Sequence, residues 1–518
     1  MKNIFSLLAF MLSFTVTAQT APSIQWQKTL GGSNWDQGSS VWQTTDGGSI
    51  VAGYSPSTDG NVTGNHGNGD YWVVKLDNNG NIQWQKSLGG SDYDYPYAIQ
   101  QTRDGGYIVV GESKSNDGDV TGHHGIDAYS DAWIVKLDGS GNIQWQKSLG
   151  GSNPDVIYSV HQTSDSGYIL AGYSSSTDGD VTGHMPYNYD DYWVVKLSSS
   201  GTIQWQKSFG GLNSSDVAFS VKQTVDGGYI VAGNSESDTG DATVNYGEYD
   251  YWILKLDNSG NLEWQKSLGG SYNDFANAIQ PTSDGGYIVA GRSQSNDHDV
   301  TWHYGSPINY DAWIVKLNGS GNIQWQKTLG GTGGEDATSI QQLADGGFIF
   351  TGVSSSSDGD ASGNLGGSGK FWIVRLNSNG NLLWQKAVGG TNGDVPKSIR
   401  QTSDGGFVIA GFSYSNSGDV TFHYGNLTYP DFWVVKLGPE VLSTNETKLE
   451  NFSIYPNPAT DRIFVSGLSS DEKYEIYSVT GQKIASGKTS QSAVDVNDLQ
   501  KGVYFIQIGE KRQNFIKK

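Results

Sequence analysis

From residue 24 to residue 437 the chain alternates short apolar runs with turns rich in glycine, aspartate and asparagine, and none of the runs carries a helical period. In one stretch four such runs follow one another, at 97–102, 107–111, 132–137 and 143–149. Tyr107-Ile108-Val109-Val110 is apolar on both faces, which predicts a strand covered on both sides. Ile143, Trp145 and Leu149 alternate with Gln144, Gln146 and Ser148, which predicts a half-exposed strand at a sheet's outer edge. Gln100-Gln101 on the first run suit an inner strand that faces a wet channel. Asp104-Gly105-Gly106 and Asp138-Gly139-Ser140-Gly141-Asn142 read as tight turns, because glycine takes positive φ without strain and aspartate caps its own backbone.

The pattern repeats. Trp-Gln-Lys recurs at Trp26, Trp84, Trp145, Trp205, Trp264, Trp325 and Trp384, about sixty residues apart, and a second tryptophan series falls at Trp72, Trp133, Trp193, Trp252, Trp313, Trp372 and Trp433. Four antiparallel strands in each of seven tandem units predict an all-β, seven-bladed β-propeller, which removes exposed sheet edges by radial repetition. In this phasing residues 24–32 are an outer strand with no blade of their own, and the last unit ends at Leu437 without one. The N-terminal strand is therefore expected to complete the seventh blade. Asp226-Gly227-Gly228-Tyr229-Ile230-Val231-Ala232-Gly233, with Tyr71-Trp72-Val73-Val74-Lys75-Leu76 running into Asp77, Gly80 and Asn81, resembles the delta-60 and WD40-like repeats of secreted bacterial propellers. That resemblance implies a fold and no particular activity.

Composition narrows the function. The 518 residues include no cysteine, which excludes a disulfide scaffold, thiolate metal ligands and a thiol nucleophile. A formal net charge of −21 argues against nucleic acid and against anionic membrane surfaces as partners. Residues 1–18 carry Lys2, an apolar run and small residues at Val16 and Ala18, the signature of a cleaved secretory signal. No other stretch is long and apolar enough to insert in a membrane.

Near Gly438 the acidic bias ends, and short strands separated by turns follow, as in a small β-sandwich. Ser453-Ile454-Tyr455-Pro456-Asn457-Pro458-Ala459, the segment from Ile476 through Thr480-Gly481 to Gln482, Gly502-Val503-Tyr504 and Lys517-Lys518 resemble the type A C-terminal sorting domain of the type IX secretion system of Bacteroidetes. The resemblance implies export across the outer membrane, the secretion machinery as a partner, and a final location outside the cell or on its surface. The expected organisation is thus signal peptide 1–18, propeller 24–438, linker 439–450 and sorting domain 451–518.

Candidate chemistry collects where the long loops after the second strands meet the loops after each Trp-Gln-Lys strand, the latter holding Asp36, Asp94, Asp155, Asp216, Asp274, Asp336 and Asp394. This face is expected to be acidic and to bind. The pairs Asp117 and Asp119, Asp178 and Asp180, Asp297 and Asp299, and Asp358 and Asp360 have oxygens that suit Ca2+, although the third ligand and bidentate glutamate of an EF-hand loop are missing. The alternative for them is turn capping. Histidines recur in the same loops, at His66, His123, His124, His184, His303 and His423, and read as loop-packing residues, since a ring holds them apart.

The departures from symmetry are sharper clues. Trp302-His303-Tyr304 and Phe422-His423-Tyr424 put aromatic faces on a polar rim, where they can stack on sugar rings or peptide side chains. Thr282-Ser283-Asp284-Gly285-Gly286 resembles the Asp-box turn of sialidase-like propellers, but Arg400 is the one arginine of the repeats expected on a channel-side strand, too few for carboxylate capture. Lys370, standing where the other repeats have aspartate, has no explanation in the sequence. The resulting expectation is a secreted or cell-surface, monomeric, non-enzymatic binding or adhesion module for glycan or protein. The alternative is a secreted carbohydrate-active enzyme using carboxylates of the acidic face.

Overall fold

The computed structural model describes residues 20–125, 128–184, 189–212, 214–306, 308–363, 368–440, 453–466, 471–478, 482–508 and 511–518. The expected signal peptide, nearly all of the linker, and the Thr480-Gly481 turn lie outside them. The chain divides into two compact units, one running from Ala18 to Val441 and the other containing the C-terminal region from Leu442.

Among the described residues of the first unit every strand joins a four-stranded antiparallel sheet, and there are seven such sheets. The first contains Gln37–Gln43, Ser49–Ser55, Asp70–Leu76 and Ile82–Leu88 in sequence order. The last contains Asp394–Gln401, Phe407–Ser413 and Asp431–Leu437, with Ile24–Leu30 as its fourth strand. Ile24 lies opposite Leu437 and Leu30 opposite Phe432. Successive sheets share apolar cores in the manner of β-propeller blades, and one core unites Val408, Ala410 and Phe432 with Val41, Val51 and Trp72.

The motif residues explain themselves as partners. The seven third-strand tryptophans are fully buried, and a buried indole N–H needs an acceptor. Each finds the glutamine of a Trp-Gln-Lys strand: Trp133 donates to Gln146 Oε1 at 2.8 Å and Trp193 to Gln206 Oε1 at 2.9 Å. Trp433 reaches Gln27 of the N-terminal strand at 2.8 Å. The lysine closing each third strand pairs with the aspartate of the Asp-Gly turn, as in Lys75–Asp46 at 2.9 Å and Lys316–Asp284 at 2.8 Å. Arg375 takes that role in the sixth sheet, pairing with Asp345 and with Glu440.

Every first strand carries a β-bulge, for example between Gly38 and Ser40 and between Pro96 and Ala98. A bulge leaves one residue unpaired and re-aims its side chain.

The second unit has a three-stranded sheet (Ile454–Tyr455, Arg462–Val465, Ala493–Asp495) and a four-stranded one (Lys483–Lys488, Lys473–Ser478, Gly502–Ile508, Lys511–Lys517). Both contribute to one core that includes Ile463, Val494, Ile476, Ile506 and Phe515.

Candidate functional site

The carboxylates expected to line an acidic face are instead buried at the seams between sheets. Asp94 is fully buried and accepts from Gly90 N–H at 2.8 Å, from Ser115 Oγ at 3.0 Å and from Ser113 Oγ. Asp36, Asp155, Asp216, Asp274 and Asp394 repeat this pattern of glycine N–H and serine hydroxyl donors. In the sixth sheet the equivalent group is Glu335, not Asp336, because Glu335 is the one that takes Gly331 N–H and Ser354 Oγ, both at 2.9 Å. These groups are staples between a turn and a strand, each taking a glycine N–H and a serine hydroxyl, while Asp216 Oδ1 and Asp274 Oδ1 are buried without a hydrogen-bond partner.

A second buried carboxylate, from the start of a third strand, faces each staple across a glycine: a Cβ on Gly31 would meet both Asp36 and Asp431, and one on Gly89 both Asp94 and Asp70. At the seventh such position Lys370 stands 3.8 Å from Asp394. The exchange that the sequence left unexplained converts one like-charge pair into an ion pair. Burial pushes Asp94 up to about 7, with the charge of Asp70 adding to the effect, and pushes Asp431 up to about 8, with Asp36 adding.

The proposed calcium ligands serve the same loops. Asp117, Asp178, Asp297 and Asp358 each accept a backbone N–H, from Ser91, Ser152, Ser271 and Thr332, at 2.7–2.8 Å. Asp119 and Asp180 face the N–H groups of Gly89 and Gly150 at 3.4 Å. Gly269 N–H bonds hold Asp299 against the cost of its burial, and Tyr304 supports Asp360 in the same way. Among the described residues no three His, Asp or Glu side chains come together in a way that could hold a metal ion. The donor set is that of capped turns and does not fit a calcium cradle.

Loop histidines sit on the third-strand aspartates: His66–Asp70 is 2.7 Å, and His124–Asp131 and His184–Asp191 are both 2.8 Å. His303 and His423 have buried rings, His303 Nε2 lying 3.0 Å from Asn309 O, so the two histidines placed in the expected ligand site are internal to their loops. Their aromatic neighbours divide. Trp302 is 61% exposed and Phe422 51%. Each stands edge-on to a tyrosine, Tyr304 at 6.1 Å and Tyr424 at 4.7 Å between ring centroids. Tyr424 is fixed from its hydroxyl by Asn61 Oδ1 at 3.0 Å. Trp302 and Tyr304 help line a shallow cleft with Lys327, Asp360 and Asn381.

Motif reading missed a second site, a central cavity lined by the first strands of all seven sheets. One chamber of it, about 440 Å³, is ringed by the bulge residues Ser39, Tyr97, Tyr158, Phe219, Asn277, Thr338 and Lys397. Tyr97, Tyr158 and Phe219 form an aromatic arc, with centroids 4.6 and 5.0 Å apart. On another arc Asp336 accepts from Asn277 at 2.7 Å and pairs with Arg292 at 3.2 Å. Arg292 thus reaches the cavity from a second strand, beside the Arg400 that was expected there. Three residues further along each first strand lie Trp42, Gln100, His161, Lys222, Gln280, Gln341 and Arg400. This position, just before the Gln-Thr that opens most turns, varies in charge from unit to unit, and that variation was the available signal.

Residues 453–518 match the family described as secretion system C-terminal sorting domain. The sorting domain marks the protein for export through the type IX machinery, to the outside of the cell or its surface. Its family match does not extend to the repeats. The regulatory protein FlaEY of Caulobacter vibrioides is 24% identical over 376 residues, covering 68% of this chain, which spans only 38% of that relative. Among solved structures, the Neurospora crassa Pan2 WD40 domain has 10% identity and a TM-score of 0.41, covering 79% of this chain and 95% of that one. Sqt1 from Chaetomium thermophilum has 10% identity and a TM-score of 0.43, covering 81% and 100%. No helix among the described residues is long and apolar enough to cross a membrane.

Proposed function

We propose that the protein is an exported binding module: a closed, seven-bladed ring over residues 24–438 that presents aromatic loop tips to a glycan or protein outside the cell. Entry to the export route is assigned to a signal peptide at 1–18, with a linker at 439–450 and the sorting domain at 451–518. Ring closure is supported by the pairing of Ile24–Leu30 with Asp431–Leu437. The observation that carries the binding role is the pair of exposed rings, Trp302 and Phe422, each braced edge-on by a tyrosine. Bracing keeps an apolar face in water without collapse onto its own loop, the property required to stack on a sugar or an aromatic side chain. The seam carboxylates, buried away from any surface a polysaccharide could reach, give no support to the alternative of a glycosidase. Arrays of glycans and extracellular matrix proteins probed with the full chain test the reading. The expected result is a ligand whose binding falls at least about tenfold in Trp302→Ala or Phe422→Ala, and blank arrays would remove the proposal.

A further inference from the structure

The cavity holds cations that the protein leaves unbalanced. Lys222 and Arg400, with Trp42, line both the aromatic chamber and a second one of about 430 Å³, so the three side chains form the collar between them. Arg400 lies over the Trp42 ring at 4.9 Å and donates to its own Ile399 carbonyl at 2.9 Å. Neither it nor Lys222 pairs with a carboxylate among the described residues, whereas Arg292, in the aromatic chamber, has Asp336. In a chain of net charge −21 this is a local concentration of positive charge, to which Lys397 of the aromatic chamber adds.

The scaffold shows what the collar replaces. At the equivalent position Gln100 accepts the N–H of Gln162 in the next sheet at 2.8 Å, and Gln341 that of Gln401 at 2.9 Å. Glutamine is thus the structural solution, satisfying a neighbour's donor. Lys222 has no acceptor atom, and the residue opposite it in the next sheet is Pro281, which has no N–H to satisfy. The seam has been relieved of its hydrogen bond at the one place where a lysine enters. His161 keeps the structural role through Nδ1, which faces the N–H of Gln223 at 3.4 Å. Its ring is therefore neutral and carries its proton on Nε2, a donor left over for another group. Burial holds His161 down to about 3 and Lys222 down to about 7, with Arg400 opposing the charge of each.

We propose that Lys222 and Arg400 of the collar, with His161 beside them, bind the oxyanion of a small ligand whose flat apolar body lies against Tyr97, Tyr158 and Phe219. An oxyanion supplies the acceptors that Lys222 and Arg400 lack and offsets their mutual repulsion. The aromatic arc in the adjoining chamber supplies stacking surface for the rest of the molecule. This site is separate from the loop tips.

Calorimetric titration of the full chain with phenyl phosphate, benzoate, inorganic phosphate and phenol tests it. Phenyl phosphate or benzoate should bind more tightly than inorganic phosphate, which lacks the ring, and than phenol, which lacks the charge. The choice between the first two identifies the headgroup. Lys222→Gln and Arg400→Gln should each weaken binding about tenfold or more. Both variants install the residue that three other sheets already carry, so they should fold, and melting in the absence of ligand checks this. Their melting temperature should be no lower than that of the parent and should no longer rise with ligand. Failure of both aromatic anions to bind at about 10 mM, a concentration at which even a feeble specific site would fill, would overturn the assignment. So would binding unchanged in the two variants, or phenol bound as tightly as benzoate.

Discussion

At the residue scale the main cost in this molecule is carboxylate burial. Asp36, Asp155, Asp216 and Asp274 are pushed by burial up to about 6, Asp94, Asp250 and Asp311 up to about 7, and Asp431 up to about 8. A carboxyl whose folded value exceeds its unfolded one binds its proton more tightly when folded. Its stabilising contribution is complete below the unfolded value of about 4 and is lost as pH rises through the folded one. Melting temperature should therefore fall as pH is raised from about 5 to about 8, and a flat profile by calorimetry would contradict the burial argument. The turn aspartates work the other way. Burial opposes the charge of Asp46, but Thr44, Lys75 and Gly48 hold it down to about 2, so its contribution is complete above the ordinary carboxyl value of about 4 and is lost as pH falls from there through about 2. Lys370→Asp would restore the like-charge pair at the one seam that lacks it. It should cost about 1–3 kcal/mol at neutral pH and less in acid, as measured by chemical denaturation.

At the scale of elements, a strand belongs to a sheet when its side chains complete hydrogen bonds that the sheet would otherwise leave buried and unmade. Gln27 does this for Trp433 as Gln146 does for Trp133. Gln27→Ala and Gln146→Ala should therefore destabilise by similar amounts, about 1–2 kcal/mol each, in equilibrium unfolding. A negligible effect at Gln27 alone would mean that the N-terminal strand is only loosely attached. Removing residues 24–32 altogether should leave Asp431–Leu437 as an open edge and give an aggregating product in sedimentation experiments. The bulges are the other element-scale device. By leaving Tyr97, Tyr158 and Phe219 out of the ladder they turn large rings toward the cavity, which regular pairing would have filled with alternate residues of another set.

At the scale of the whole molecule, a nearly symmetric frame carries two asymmetric features, the loop tips at Trp302 and Phe422 and the collar around Lys222. Symmetry supplies stability through repeated seams, and only the departures can recognise anything. The C-terminal unit has its own core and its own two sheets, so its removal should leave the melting of the repeats unchanged. The same deletion should retain the protein inside the cell envelope, which fractionation of the expressing bacterium would reveal, and unimpaired release would contradict the sorting role.

The repeats, the strand order within each, the outer position of the Trp-Gln-Lys strand and the sorting tail were legible in the chain, because period, turn chemistry and alternation are local properties that survive without coordinates. Aspartates at the seams were legible as recurring residues but not as buried ones. Whether a carboxylate faces water or a serine hydroxyl depends on how the loop of one unit folds over the strand of the next. The collar was hidden for the same reason. Arg400 was expected beside the channel, but His161 and Lys222 lie in two other repeats, and nothing local says that the three meet until the first strands converge on one cavity. Local sequence thus determined what each unit is, and only tertiary packing decided which of its polar groups are partners, which are exposed and which are left unpaired, since burial and charge balance are set by neighbours far away along the chain.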